Sequence, residues 1–143
     1  MKLRKVVVLA ALVVALSVPV LAYQQEVTAE DYDAAMKTIR TTVQGVGRHL
    51  EEQDAPSVGA DGNVLIEQFT KVNAYWANRS EQEAIALAEQ ALDASRRFQM
   101  AGAAGDFDAA QEAFGELRGF CMPCHEQYRE RDADGQWRIK GGR

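Results

Sequence analysis

The chain has 143 residues, 47% of them hydrophobic and only 8% aromatic, with a formal net charge of −5. That length supplies one buried core, and the acidic balance argues against nucleic acid, whose binders carry a basic patch. Two cysteines are too few for a disulfide framework and two histidines too few for a multi-histidine metal site, while the wealth of Ala, Glu, Gln and Leu favours helix over sheet.

The first segment reads as a leader. Lys2, Arg4 and Lys5 precede an apolar run over residues 6–16, followed by Ser17, Pro19 and the small-residue end Val20-Leu21-Ala22. A basic n-region, an apolar h-region and a V-x-A site predict export with cleavage after Ala22. The rival reading is an uncleaved anchor, but the run is short for a membrane span and Pro19 near its end suits processing. Loss of residues 1–22, which carry three bases and no acid, takes the net charge from −5 to −8. The mature chain is then an acidic periplasmic protein, suited to basic-faced partners and not to stable insertion in a membrane.

Thr28, with Asp31 three residues on, is a loose capping box and predicts the start of the first helix. Its apolar stripe is Tyr32, Met36, Ile39, Val43, Val46 and Leu50, and it fades near Gln53. Residues 54–63 hold Pro56, Gly59 and Gly62 and read as a loop. A second helix carries Leu65, Phe69, Val72 and Trp76 and ends at Asn78-Arg79. Ser80 with Glu83 predicts a capping box for the third, whose seam is Ala84, Ala88, Ala91, Ser95 and Phe98, flanked by Ile85 and Leu92. Those mostly small residues leave room for something large against them. Gly102 and Gly105 break the chain, and Asp106 can cap a fourth helix with Phe107, Ala110, Phe114, Leu117, Cys121, Cys124 and Tyr128 on one stripe. The tail, residues 132–143, contains Gly135, Gly141 and Gly142 and reads as loose. Four helices with short connections predict an all-α, antiparallel four-helix bundle over residues 23–131.

The last helix holds Cys121-Met122-Pro123-Cys124-His125, the C-x-x-C-H attachment signature for c-type haem. Each thiol adds to one vinyl group, and residues three apart on a helix present both sulfurs to one porphyrin edge. His125, four residues after Cys121, can ligate the iron from below. A redox dithiol, half a zinc site or an idle disulfide would explain the cysteines alone. Only covalent haem c, with its iron, uses the histidine, the export signal and the inward-facing cysteines together. Pro123 removes a backbone donor and predicts a kink in this helix.

A single C-x-x-C-H near the end of a four-helix bundle resembles the class II cytochromes c, the high-spin cytochromes c′ and their low-spin relatives. The likeness spans residues 28–131 in layout and is most specific over residues 121–129, where Tyr128 and Arg129 match the aromatic and basic residues typical of the family; the Gly105-Asp106 break is also family-like. The tail beyond Arg131 is longer than a cytochrome c′ leads one to expect. The resemblance implies that the first helix decides the sixth coordination site. Cytochromes c′ leave an apolar side chain there and bind NO or CO at a five-coordinate iron, whereas the low-spin relatives supply a methionine. Met36, in Ala34-Ala35-Met36-Lys37, resembles the low-spin pattern, and a thioether ligand favours electron transfer. As a bare residue, Met36 also fits a plain core position, in which case Ile39 would cover an open distal face.

Met100 lies off its helix's main stripe, and Met122 points away from the ring. His49 falls roughly 220° round the helix from Met36 and reads as a surface histidine near a helix C-terminus. Arg129, one turn past His125, screens the proximal face or bonds a propionate, or else pairs with Glu126 or Glu130 on the surface. Trp137 is an aromatic in a loose segment, with the bundle or a partner as its dock. No acid–base pair or nucleophile stands out, so the expectation is a carrier with redox partner proteins, not an enzyme. The family's habit of pairing through the first two helices adds a homodimer as an option. A gas-binding cytochrome c′ is the alternative, and a haem-free exported bundle with a disulfide is the third reading.

Overall fold

The computed structural model describes residues 26–140; the expected leader, residues 1–22, lies outside them. Helix α1 (Ala29–Glu51) begins as its sequence predicts. The Thr28 hydroxyl accepts from the Asp31 amide at 3.1 Å, and the Thr28 amide donates to the Asp31 carboxylate at 2.9 Å, so two amides of the first turn are satisfied reciprocally.

Helix α2 (Ala55–Ala77) starts nine residues earlier than a start after the expected 54–63 loop would place it. Asp54 caps it by accepting from the Ser57 amide at 3.2 Å, and Pro56 stands in the first turn, where no backbone donor is needed. Gly59 and Gly62 are buried helix residues facing α3 (Gln82–Ala103), not breaks. A Cβ on Gly62 would fall 2.6 Å from the Gln99 Cα, so the missing side chain is what lets the two helices cross closely.

The Ser80 capping box does not form. Ser80 turns the chain with φ +57°, and α3 starts one residue later behind Glu81, with no side-chain bond at the cap. The expected small seam is buried throughout: Ala84, Ala88, Ala91, Ser95 and Phe98. Gly105 (φ +76°) and Asp106, which accepts from the Ala109 amide at 3.1 Å, set up α4 (Phe107–Gly119) as expected.

The fourth leg of the bundle is two helices in series. α4 ends at Gly119 and α5 (Cys121–Tyr128) follows after Phe120. The cause is Pro123. It cannot donate to the carbonyl four residues back, that of Gly119, and its ring crowds that carbonyl, so the chain breaks there and Pro123 falls in the first turn of a new helix.

The tail, as far as Lys140, is not loose. Residues of β1 (Arg129–Arg131) and β2 (Trp137–Ile139) pair antiparallel, with Arg129 opposite Ile139 and Arg131 opposite Trp137. Asp132 shapes the turn, its carboxylate accepting from the Asp134 and Gln136 amides at 3.0 and 2.8 Å, and Gly135 supplies a φ of +74°. α2 and α3 pack most extensively, α3 on α4 and α1 on α2 less so, and α1 meets α4 only narrowly. No described helix is long and apolar enough to cross a membrane.

Candidate cofactor site

The interior stripe of the fourth leg changes character along its length. Ala110, Phe114 and Leu117 are buried, whereas Cys121, Cys124 and Tyr128, on the same expected stripe, are only half-buried. Both cysteines are free thiols. Cys121 makes a long contact, 3.8 Å, to the Leu117 carbonyl. Burial, with the neighbouring Cys121, pushes the Cys124 thiol up to about 11, and burial raises Cys121 against the pull of Arg118. His125 is half-buried, and burial, aided by the Arg129 charge, disfavours its protonation. The two spacer residues face outward, as expected for Met122, which is 57% exposed.

An aromatic cluster closes this end of the bundle. Tyr32 of α1 lies 4.5 Å from Tyr75 and 5.6 Å from Trp76 of α2, ring centroid to centroid, and Trp76 lies 4.7 Å from Tyr128 of α5. Tyr32 is near enough to Cys124 that burial and the thiol together raise its hydroxyl pKa. The start of α1 is thereby set beside the attachment residues. Among the described residues, three polar atoms at this end are buried without a partner: the Tyr75 hydroxyl, the Trp76 indole nitrogen and the Arg129 Nε. All three can donate, and such groups are costly to bury unless an acceptor meets them. A haem, with two carboxylates, carries acceptors of that kind. With one helix presenting two half-buried thiols and an imidazole whose protonation burial disfavours, the residues present fit the group.

Met36 lies one turn beyond Tyr32 on α1. It is partly buried against the core, between the fully buried Ala35 and Ile39. Met100, 61% exposed, takes no part. His49 is not a free surface residue: its Nδ1 lies 2.7 Å from the Asp61 carboxylate of α2, with both side chains less than one-fifth exposed. Arg129 pairs with neither Glu126 nor Glu130. Glu130 takes Arg138 at 3.2 Å, and Arg129 instead stacks on Trp137, its guanidinium carbon 3.9 Å from the ring centroid. Tyr75, buried completely, is a further residue of this face; it stands three residues after Val72, the helical spacing that could have found it. Among the described residues no group of three or more His, Cys, Asp and Glu could hold a metal ion unaided, which leaves the zinc-site reading without ligands.

The chain is similar to cytochrome c′ from Thermochromatium tepidum, with a TM-score of 0.62 and 20% identity over 70% of this chain and 92% of that one. A cytochrome c′ with an unusual ligand-controlled dimer dissociation matches with a TM-score of 0.62 and 20% identity, over 72% and 94% of the two chains. A ferrous cytochrome c′ variant from Alcaligenes xylosoxidans with bound NO matches at 0.53 and 20%, over 73% and 98%. No protein-family model and no curated protein matches the sequence. The all-α four-helix fold is therefore that of the cytochromes c′, and the resemblance to the class II cytochromes c holds in three dimensions.

Proposed function

We propose that the chain is a periplasmic monohaem c-type cytochrome that carries single electrons and has no enzymatic activity. The observation that supports it most is the grouping of Cys121, Cys124 and His125, all half-buried, on α5, the helix whose Tyr128 joins the cluster of Tyr32, Tyr75 and Trp76. Cys121 and Cys124 would hold haem c through two thioethers, and His125 would be the proximal iron ligand. When bound, the haem supplies a one-electron couple. Met36 is the sixth ligand in this reading; its thioether favours the reduced iron and raises the potential. Tyr32, Tyr75 and Trp76 exclude water from one side of the site, and Arg129 offers its Nε to a propionate. The acidic mature surface recruits redox partners with basic faces.

A second reading is a five-coordinate cytochrome c′ that takes NO or CO at an open distal site. It is favoured by the three structures named above, each a cytochrome c′ and one of them holding NO. The ligand-controlled dimer dissociation of another match supports a homodimer here as well.

Absorption spectra of the mature protein, oxidised, reduced and reduced under CO, decide between the two. The expected result is sharp low-spin bands indifferent to CO, with Met36→Ala converting them to high-spin bands that shift under CO. A wild-type spectrum already high-spin and CO-sensitive, unchanged by Met36→Ala, would sink the methionine ligand and promote the second reading. A polypeptide mass without haem would overturn both.

A further inference from the structure

The C-terminal hairpin has no part in the four-helix bundle, yet it is tied to the helix that carries His125. The Lys140 amide donates to the Tyr128 carbonyl at 2.9 Å, and its ammonium donates to the Glu126 carbonyl at 2.8 Å. Ile139 packs against the core, and Arg138 pairs with Glu130 across the two strands. Alternation along β1 puts Arg129 and Arg131 on one face, and the register sets Trp137 opposite Arg131 and diagonal to Arg129. Both guanidinium carbons consequently lie on the one indole, at 3.9 and 4.1 Å from its centroid.

We propose that this hairpin is a clamp in which Trp137 is a positioning residue, holding the Arg129 guanidinium on the His125 side of the molecule. Two cations two residues apart repel and, as exposed side chains, would spread into water. The indole offers each of them an attractive π face, and the Arg131 guanidinium is also held by the Gly135 carbonyl at 2.6 Å. Arg129 is left stacked, half-buried and without an ion pair among the described residues, with its Nε turned to a place that holds no protein acceptor. Arg129 stands directly after the end of α5, four residues past His125, which keeps its cation at the His125 end of that helix. The consequence for function rests on the haem reading: a fixed cation beside the axial histidine favours the reduced iron, which carries one positive charge fewer. A cation free to move into solvent is screened and loses that effect.

The test uses the haem-loaded mature protein and has two readouts. The first is the reduction potential of the wild type, Trp137→Ala, Trp137→Phe, Arg129→Gln and the Trp137→Ala/Arg129→Gln pair. Trp137→Ala is expected to lower the reduced-to-oxidised ratio at a fixed poise several-fold, Trp137→Phe to restore most of it, and Trp137→Ala to add nothing once Arg129 is gone. An unchanged potential in Trp137→Ala, or an equal fall in the Arg129→Gln background, would overturn the clamp. The second readout is solvent exchange of the Arg129 Nε–H by NMR in the reduced protein, expected to quicken about tenfold or more in Trp137→Ala and to stay slow in Trp137→Phe. Exchange unaffected by Trp137→Ala would also overturn it. If the wild type proves to lack haem, the cofactor reading fails on its mass, and the exchange measurement alone decides the clamp.

Discussion

Cys121 and Cys124 differ in more than position. Cys124 lies next to Tyr32 and has its thiol pushed up to about 11, whereas Cys121 leans back toward the Leu117 carbonyl with Arg118 nearby. Cys124 is thus the sulfur turned to the aromatic cluster, and Cys121 the one at the junction of α4 and α5. Removing Cys121 leaves Cys124 and His125 adjacent on α5, so one thioether and the axial ligand remain available. Cys121→Ala is expected to retain covalent haem by mass, with the reduced absorption band moved to longer wavelength because one vinyl group stays conjugated with the ring. Cys121→Ala/Cys124→Ala is expected to release all haem on denaturation. Haem retained by the double variant after unfolding would remove the thioethers from the account.

The helices make a similar distinction between glycines of the same element. At Gly62 an added Cβ would meet the Gln99 backbone at 2.6 Å, while at Gly59 the nearest atom is the Ala103 Cβ at 3.4 Å. Gly62→Ala forces α2 and α3 apart and is expected to destabilise the protein by about 1–3 kcal/mol. Gly59→Ala asks its neighbour for only a small shift and gains helix propensity, so its effect is expected within about 1 kcal/mol of zero. Urea unfolding of both variants checks the pair, and equal losses would mean the crossing is not set at Gly62. These glycines also explain what could and could not be read from sequence. The stripes from Tyr32 to Leu50 and from Leu65 to Trp76, and the seam from Ala84 to Phe98, were legible because helical spacing records burial directly. Pro56, Gly59 and Gly62 were misread as a loop because the same residues serve helix starts and close crossings, and a single sequence does not contain the facing helix. The break at Phe120 follows from Pro123, whose effect falls on the carbonyl four residues back, so the expected kink takes the form of one helix ending at Gly119 and another starting at Cys121. The hairpin was missed because three-residue strands carry too little pattern to be seen, although Asp132 and Gly135 were its turn signals. At the site, the C-x-x-C-H motif was explicit, whereas the Arg129 partner depended on a strand register that no periodicity encodes.

At the scale of the whole molecule, the burial pattern is uneven. The α2–α3–α4 side is closely packed, but α1 meets α4 narrowly and burial falls off from Leu117 toward Tyr128, the stretch that holds Cys121, Cys124 and His125. A haem bound between these parts would complete the core, so its binding free energy is folding free energy, and the haem-free chain is expected to be poorly folded. The cysteines report on this. In the described fold burial pushes the Cys124 thiol up to about 11 from an ordinary value of 9.0, which leaves about a hundredfold less reactive thiolate at pH 8. A raised thiol pKa stabilises the fold fully below the unfolded value and is lost as pH rises through about 11, so at pH 8 the thiol does not itself disturb the equilibrium. For chain made without haem attachment, alkylation of Cys124 at pH 8 is expected to proceed within a few-fold of its rate in urea. Protection approaching a hundredfold would instead mean that the aromatic cluster of Tyr32, Tyr75, Trp76 and Tyr128 holds the bundle closed by itself, and that the haem enters a fold already made.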